Sequence, residues 1–231
     1  MEIDLNCDLG EGFPHDAELI PLITSANVAC GYHAGNLTLA QATIRLAARY
    51  HVQVGAHPGY ADRENFGRVE LQRTEQQIWE DCVYQIGALV GLANSEGVPL
   101  KYVKPHGALY NQACRNNRYA APVVMAAVNY GLTVMGLPGS RLEALCRGSC
   151  PFVAEGFVDR RYLPDGSLAP RSEPNAMVED PAEAVLQAEW LLTEKGVRTL
   201  CVHGDNPEAV TFVRELRDSL ERQGVRIQAF A

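Results

Sequence analysis

The chain has 231 residues, a formal net charge of −8 at pH 7 and an apolar fraction of 47%. These values are typical of a folded protein with one sizeable core, and they exclude the disordered and membrane-spanning classes. Lysine occurs only at positions 101, 104 and 195, so the chain lacks a basic stripe that would neutralise a run of phosphates. We therefore expect no nucleic-acid partner.

The N-terminal residues show neither the basic nor the apolar region of a signal peptide, and no apolar stretch is long enough to span a bilayer. Seven cysteines occur without a C-x-x-C pair, which fits reduced thiols better than a disulfide framework. Cys7, Cys30 and Cys201 lie in apolar runs, so we interpret them as small buried side chains. Together these features predict a cytoplasmic protein with no membrane partner.

Short β-branched runs alternate with longer helical patterns along the whole chain, which is typical of βα units around a parallel sheet. Eight strands are predicted, at residues 3–7, 26–30, 53–56, 102–104, 133–137, 152–154, 199–202 and 226–229. We therefore predict an α/β fold in which residues 1–231 form a single β/α barrel domain. A doubly wound open sheet is the alternative arrangement of the same elements.

The helices between these strands carry recognisable start signals. Thr74 and Gln77 form a predicted capping box ahead of an apolar helical pattern, which Gly97 ends. Further start signals are Ser140 with Glu143, Asp180-Pro181 and Asn206-Pro207. Residues 157–175 depart from this pattern, because they hold three prolines and the turn dipeptide Asp165-Gly166. We predict a hairpin or lid-like excursion there.

Nearly every unusual polar residue falls just past the carboxyl end of a predicted strand. These residues are Asp8, Glu11, His33, His57, Lys104, His106, Glu155, Asp159, Arg160, His203 and Asp205. Each has a simpler explanation on its own, such as a helix cap or a satisfied buried imidazole, but their shared position favours a common site. In a barrel the carboxyl ends of the strands meet on one face, and in an open sheet they line one crevice.

Lys104 stands out because a buried ammonium is costly unless it meets a carboxylate or an anionic substrate. We expect it to hold a carboxylate or to activate a water molecule. The chain has no G-x-x-x-x-G-K-[ST] loop, no G-x-G-x-x-G motif and no G-x-S-x-G elbow. Nucleoside triphosphatase, dinucleotide oxidoreductase and serine hydrolase motifs are therefore absent from this sequence.

Five motifs in this order resemble those of the LamB/YcsF family. They are Leu5-Asn6-Cys7-Asp8-Leu9-Gly10-Glu11, Ala29-Cys30-Gly31-Tyr32-His33-Ala34-Gly35, Gly55-Ala56-His57-Pro58, Lys104-Pro105-His106-Gly107-Ala108-Leu109-Tyr110-Asn111 and Val202-His203-Gly204-Asp205. Phe66-Gly67-Arg68 and Phe157-Val158-Asp159-Arg160 are further blocks of the same kind. Two positions depart from the family pattern, since Asn36 replaces the usual Asp and Tyr32 replaces the usual Phe.

The resemblance implies an irregular β/α barrel related to the glycoside hydrolase and polysaccharide deacetylase fold. It also implies the activity of ATP-dependent 5-oxoprolinase, in which this chain would act with companion subunits B and C. The substrate would be 5-oxoproline, the product L-glutamate, and the cofactors ATP with Mg²⁺.

The resemblance and the positions of the polar residues together give an expected site. The expected acid, base and orienting groups are Asp8, Glu11, His33, His57, His106 and His203. The expected substrate-binding groups are Asn6, Lys104, Arg160 and Asp205. Two other functions stay open: a metal-dependent deacetylase-like hydrolase, with a divalent metal such as Zn²⁺ bound by Asp8, His33 and His57, and a non-catalytic lactam- or sugar-binding accessory protein.

Overall fold

The computed structural model describes residues 1–171, 173–205 and 208–230. The strands of these ranges are β1 (Glu2–Leu9), β2 (Ser25–Ala29), β3 (Gln53–His57), β4 (Leu100–Val103), β5 (Thr133–Gly136), β6 (Phe152–Phe157), β7 (Thr199–His203) and β8 (Arg226–Ile227). The helices are α1 (Asp16–Leu19), α2 (Leu37–Arg49), α3 (Glu75–Ser95), α4 (Gly107–Arg115), α5 (Asn117–Asn129), α6 (Arg141–Cys146), α7 (Pro181–Glu194) and α8 (Ala209–Arg222).

Seven strands form a closed parallel barrel. Their order is β2-β3-β4-β5-β6-β7-β1, and β1 pairs with both β7 and β2, which closes the ring. The predicted irregular α/β barrel is therefore confirmed. The eighth predicted strand forms but stays outside the ring, because β8 pairs only with Glu2 and Ile3 of β1. From Asn6 onward, both edges of β1 are already taken by β7 and β2.

The helix starts follow the sequence signals wherever the structure describes them. Thr74 and Gln77 form the predicted capping box of α3, and the Ser140 side chain accepts a hydrogen bond from the α6 backbone. Asp180 caps α7 in the same way. The Asn206-Pro207 signal lies outside the described residues. No helix in the described ranges is long and apolar enough to cross a bilayer.

Alternation along β1 separates an apolar outer face from a polar barrel interior. Ile3, Leu5 and Cys7 are fully buried in the core between the barrel and its helices. The intervening side chains face the interior, where Asn6 Nδ2 donates a hydrogen bond to Thr199 Oγ1 of β7 at 2.7 Å. Because side chains alternate across a strand, the same alternation directs Asp8 inward at the carboxyl end.

The polar groups of the interior satisfy one another through hydrogen bonds. Asn27 Nδ2 donates to Asn6 Oδ1 and to Asp8 Oδ1, both at 2.7 Å, and Tyr102 donates to Asn27 Oδ1 at 2.7 Å. At the opposite end, burial raises the pKa of Asp4 to about 6, although hydroxyl groups donate to its carboxylate. A buried network in which each group has a partner rigidifies its members. The hydrogen bond from Asn27 consequently fixes the carboxylate of Asp8 from the interior of the barrel.

The two loops that follow β1 and β2 touch through glycine. Gly35 has φ +69°, and a Cβ at this position would lie 2.1 Å from the Gly10 carbonyl oxygen. Gly97 has nearly the same φ, +71°, with open space around it. Only glycine combines a left-handed φ with so close an approach of two backbones.

We expect Gly35→Ala to lower the free energy of unfolding by about 1–3 kcal/mol more than Gly97→Ala does, because it adds a clash to the same dihedral cost. Urea unfolding followed by circular dichroism measures both values. Equal losses for the two variants would contradict the close approach of the two loops.

Candidate active site

A cavity of about 470 Å³ opens at the carboxyl ends of the barrel strands. Its walls come from the ends of β1, β3, β4, β6 and β7 and from the segment after β6. That segment contains an antiparallel bridge between Tyr162 and Leu168, and residues 167–171 line the cavity. Polar groups from distant parts of the chain therefore meet in one partly covered space.

Lys104 lies at the floor of this cavity between two carboxylates. Its Nζ is 3.0 Å from Asp8 Oδ1 and 2.7 Å from Glu155 Oε1. The Cys201 thiol is 3.1 Å from the same nitrogen. Burial favours a neutral lysine, but Asp8, Cys201 and Glu155 outweigh it and raise the pKa of Lys104 well above its usual range. The ammonium is therefore retained and neutralised inside the barrel.

Asp8 is ionised despite its burial. Burial alone would raise the pKa of this carboxyl, but the charges of His57 and Lys104 and a hydrogen bond with His57 hold it well below its usual range. The second carboxylate oxygen, Oδ2, lies 3.2 Å from His57 Nε2 and 3.8 Å from His203 Nε2. Asp8 thus links the lysine on the floor to the imidazoles on the wall.

Three histidines and one glutamate form a second group beside Asp8. The His33 and His106 rings stack with centroids 3.8 Å apart, and His57 Nε2 lies 3.0 Å from His106 Nδ1. Glu11 Oε1 lies 3.4 Å from His33 Nε2 and 3.6 Å from His106 Nδ1. Burial and the neighbouring imidazoles hold the pKa values of His33 and His106 well below the usual range. Burial and the nearby Asp8 raise the pKa of Glu11 well above its usual range.

His203 is oriented by a carboxylate on the far side of the cavity. Asp159 Oδ2 accepts a hydrogen bond from the His203 backbone at 2.8 Å and pairs with its Nδ1 at 2.7 Å. Burial would raise the pKa of Asp159, but the His203 ring and hydrogen bonds lower it. Because Asp159 pairs with Nδ1 of His203, the other ring nitrogen, Nε2, faces Asp8 and the cavity.

Arginines gather at the mouth of the cavity. Arg160 is 8% exposed, and its Nε has no hydrogen-bond partner among the described residues. Burial and the charge of Arg171 lower the pKa of Arg160 to about 10. Asp205 Oδ2 accepts from both Arg68 and Arg171, at 2.9 and 2.8 Å. Arg68, Arg160 and Arg171 carry three positive charges here, and Asp205 neutralises only part of this charge. The region is therefore attractive to anions.

The expected site residues are distributed over three zones. The six expected acid, base and orienting groups come together around the cavity floor. Arg160 and Asp205 lie at the mouth, with Asp205 engaged by two arginines. Asn6 is fully buried beneath Lys104, whose Nζ donates to it at 3.2 Å.

Several positions differ from the sequence-based expectation. Asp8 and Glu155 lie within β1 and β6 rather than after them, and His57 and His203 are the last residues of their strands. Sequence reasoning missed Arg68 and Arg171 as site residues. It also treated Cys201 as simple packing, although the thiol contacts Lys104. Strand alternation was the available signal, because Cys201 lies two residues before His203.

The expected metal ligands are divided between two groups of donors. Glu11, His33, His57 and His106 each offer one ligand atom, and these atoms lie within 4.8 Å of one another. Asp8 belongs to a separate group with Cys201 and His203. The set Asp8, His33 and His57 stays a prediction, and within it Asp8 Oδ2 lies 3.2 Å from His57 Nε2.

Residues 3–231 match the LamB/YcsF family. The chain belongs to this family. It is 42% identical to a Thermus thermophilus protein named as the A subunit of 5-oxoprolinase, with complete coverage of both chains. It is 40% identical to the protein of the same name from Haemophilus influenzae strain PittEE, with 99% of each chain covered.

Solved structures give the same picture of the LamB/YcsF fold. A lactam utilization protein from Thermus thermophilus superimposes with a TM-score of 0.91 at 40% identity, and both chains are fully covered. A family 4 carbohydrate esterase from Streptomyces lividans gives a TM-score of 0.58 at 10% identity, over 100% of this chain and 93% of the other. The esterase likeness shows a shared fold.

The departure at Asn36 from the LamB/YcsF pattern has a local explanation. Asn36 precedes α2, and its Oδ1 accepts a hydrogen bond from the Leu39 backbone at 3.0 Å. Asparagine and aspartate cap helices about equally well. Tyr32, the other departure, stacks on Tyr84 at the surface side of the loop, with ring centroids 5.7 Å apart.

Proposed function

We propose that this LamB/YcsF protein is the A subunit of an ATP-dependent 5-oxoprolinase, which opens the lactam of 5-oxoproline to give L-glutamate. The observation that carries the proposal is full-length identity of about 40% to relatives that bear this name. The cavity adds support, since it combines an ionised carboxylate with neutral imidazoles. This combination suits hydrolysis, in which water must lose a proton as it attacks.

The lactam is a stabilised amide, so its carbonyl carbon must be made electrophilic before water attacks. Phosphate transfer from ATP to the amide oxygen supplies this activation. Asp8 then takes a proton from the attacking water, and Lys104 keeps Asp8 ionised. Cleavage of the C–N bond then releases the ring nitrogen, with a proton, as the amine of glutamate and leaves an acyl phosphate. A second water hydrolyses this acyl phosphate to the carboxylate of glutamate and inorganic phosphate. Glu11 and the imidazoles of the cavity orient the reactants and steady the developing charge.

The arginines at the mouth fit an anionic substrate. Arg160 lines the cavity, with an Nε that lacks a hydrogen-bond partner among the described residues, and Arg68 and Arg171 lie close by. A guanidinium binds carboxylate and phosphate well because its planar donors match their geometry. We assign Arg160 to the substrate carboxylate or to the transferred phosphate.

ATP, with Mg²⁺, is handled together with companion subunits B and C. The sequence has no phosphate-binding loop of a recognised type. The cations at the cavity mouth are also partly used by Asp205. A requirement for ATP fits a complex that works in the cytoplasm.

The isolated chain is expected to release no glutamate from 5-oxoproline with ATP and Mg²⁺, and to support release once subunits B and C are added. The reason is that the activating phosphate must come from a nucleotide site, and this sequence has no phosphate-binding loop of a recognised type. Glutamate formation by the purified chain, with and without its partners, is the measurement. Robust ATP-dependent glutamate release by the isolated chain would contradict the assignment of the nucleotide site to the partner subunits.

A metal-dependent deacetylase-like hydrolase is the second candidate, favoured by the group Glu11, His33, His57 and His106. It predicts acetate release from an N-acetylated sugar by the isolated chain without ATP. A non-catalytic accessory protein predicts instead that lactam binds and that no mixture with the partners turns it over.

A further inference from the structure

Two histidines in the cavity, His57 and His106, each direct one ring nitrogen toward the other. His57 Nδ1 lies 2.7 Å from the Lys104 carbonyl oxygen, and His106 Nε2 lies 2.8 Å from the Phe66 carbonyl oxygen. A carbonyl oxygen only accepts, so each of these ring nitrogens carries the proton. The other nitrogens, His57 Nε2 and His106 Nδ1, face each other at 3.0 Å, and both are acceptors when both rings are neutral. His57 Nε2 also lies 3.2 Å from Asp8 Oδ2. A cation, either a proton or a metal ion, must lie between the two ring nitrogens.

His33 and Glu11 add three buried polar atoms without hydrogen-bond partners among the described residues. Neither ring nitrogen of His33 has a hydrogen-bond partner among the described residues, and the side chain is fully buried. Glu11 Oε1 is likewise buried and without a hydrogen bond in the described structure. Gly59 packs against His33 so closely that a Cβ there would lie 2.6 Å from Nδ1. His33 Nε2 is thus the atom that points toward Glu11.

The spacing of these atoms suits a metal ion better than a proton. One proton would satisfy a single pair of acceptors and would leave His33 without a partner. Two ligand atoms bound at about 2.0–2.1 Å to one ion are roughly 3.0–3.4 Å apart in common coordination geometries. Three of the six separations, at 3.0, 3.4 and 3.6 Å, agree with this to within a few tenths of an ångström, and one ligand atom of each of the four residues lies within 4.8 Å of the others.

We propose that Glu11 Oε1, His33 Nε2, His57 Nε2 and His106 Nδ1 bind one divalent metal ion of the zinc class. Imidazole and carboxylate are ligands that Zn²⁺ and its neighbours in the first transition row accept. The carbonyl partners of His57 and His106 match the usual support of metal-binding histidines, whose second nitrogen donates to a backbone carbonyl or carboxylate. Asp8 lies beside this ligand set: its Oδ1 contacts Lys104 and Asn27, and its Oδ2 lies 3.2 Å from His57 Nε2.

The site would place a Lewis acid beside the base Asp8, on the wall of the cavity. The inference rests on the positions of four side chains and does not depend on a lactam substrate. It is therefore tested on the purified full chain without ATP, lactam or partner subunits.

The test begins with chain stripped by a chelator and then titrated with Zn²⁺ by calorimetry, with metal content measured after dialysis. We expect about one equivalent of tightly held Zn²⁺ in the wild type. Glu11→Gln and His106→Gln should weaken the affinity by at least about a hundredfold, since even changes to supporting groups cost roughly 10–100-fold. Asp8→Asn and the distant control His15→Gln should retain the metal.

A second measurement covers the case in which a ligand variant fails to fold. Co²⁺ added to the stripped wild type should give visible ligand-field absorption that excess Zn²⁺ removes. Wild-type affinity no higher than that of Glu11→Gln, with no such absorption, would overturn the proposal. Loss of metal in Asp8→Asn but not in Glu11→Gln would overturn this ligand set. Neither result bears on lactam turnover, which is measured in a separate assay with the partner subunits.

Discussion

Replacing Asp8 with asparagine is expected to lower kcat/KM for ATP-dependent glutamate release by roughly 10²–10⁴ in the complex with the partner subunits, as losing a positioned general base does. Asparagine keeps the shape of the side chain but cannot take the proton from water. Its Oδ1 can still accept from Asn27 and Lys104, as the Asp8 oxygen does. Because Lys104 still has its ion pair with Glu155, we expect the free energy of unfolding to change little.

The matched control for this experiment is Asp218→Asn, which removes an exposed carboxyl from α8. Both variants are assayed with the same partner preparation, and their unfolding is followed by urea titration. Activity of Asp8→Asn within about tenfold of the wild type would rule out Asp8 as the base. A collapse of stability in Asp8→Asn would mean that its charge is needed for the fold rather than for the reaction.

Replacing Lys104 with methionine is expected to have the largest combined effect on stability and activity. The change leaves Asp8 and Glu155 buried without their shared counter-ion, and breaking a buried pair costs about 3–5 kcal/mol. Activity should fall too, because the ammonium that holds Asp8 ionised is lost. If Lys104 also binds the substrate carboxylate, KM should rise as kcat falls.

Two comparisons separate these contributions. Lys101→Met removes an exposed lysine from β4, the strand that precedes Lys104, and should change neither stability nor activity. Lys104→Met combined with Glu155→Gln removes one of the stranded carboxylates, so it should regain part of the lost stability without regaining activity. Unchanged stability, KM and kcat in Lys104→Met would show that the buried ion pairs contribute to neither property.

The sequence predicted most of the local structure because the signals concerned are short in range. The capping box of Thr74 and Gln77 lies within one turn of helix, and its hydrogen bonds are the ones expected. The alternation of β1 likewise settles which side chains share a face, since successive residues of any strand point to opposite sides. For the same reason, the polar residues at strand ends could be assigned to one site once a barrel was predicted.

All eight strands that the sequence predicts form, but the eighth lies outside the ring. Residues 226 and 227 have the composition of a strand and do pair with β1, but the ring closes without them. Ring closure depends on which strands occupy both edges of β1, and strand composition carries no such information. Closure of the ring also brings Cys201 to Lys104, a contact that its apolar neighbours along the chain do not predict and for which alternation with His203 is the one signal.

By itself, the sequence determined the elements, their caps, the inward face of each strand and the set of polar residues that gather at the barrel mouth. The tertiary structure decided which of them touch: Lys104 reaches Asp8 across 96 positions of the chain, and Arg68 reaches Asp205 across 137. Such contacts depend on closure of the ring and on loop paths, which local hydrogen bonds and side-chain periodicity do not fix. The charge state of Asp8 and the grouping of Glu11, His33, His57 and His106 beside it follow from such contacts.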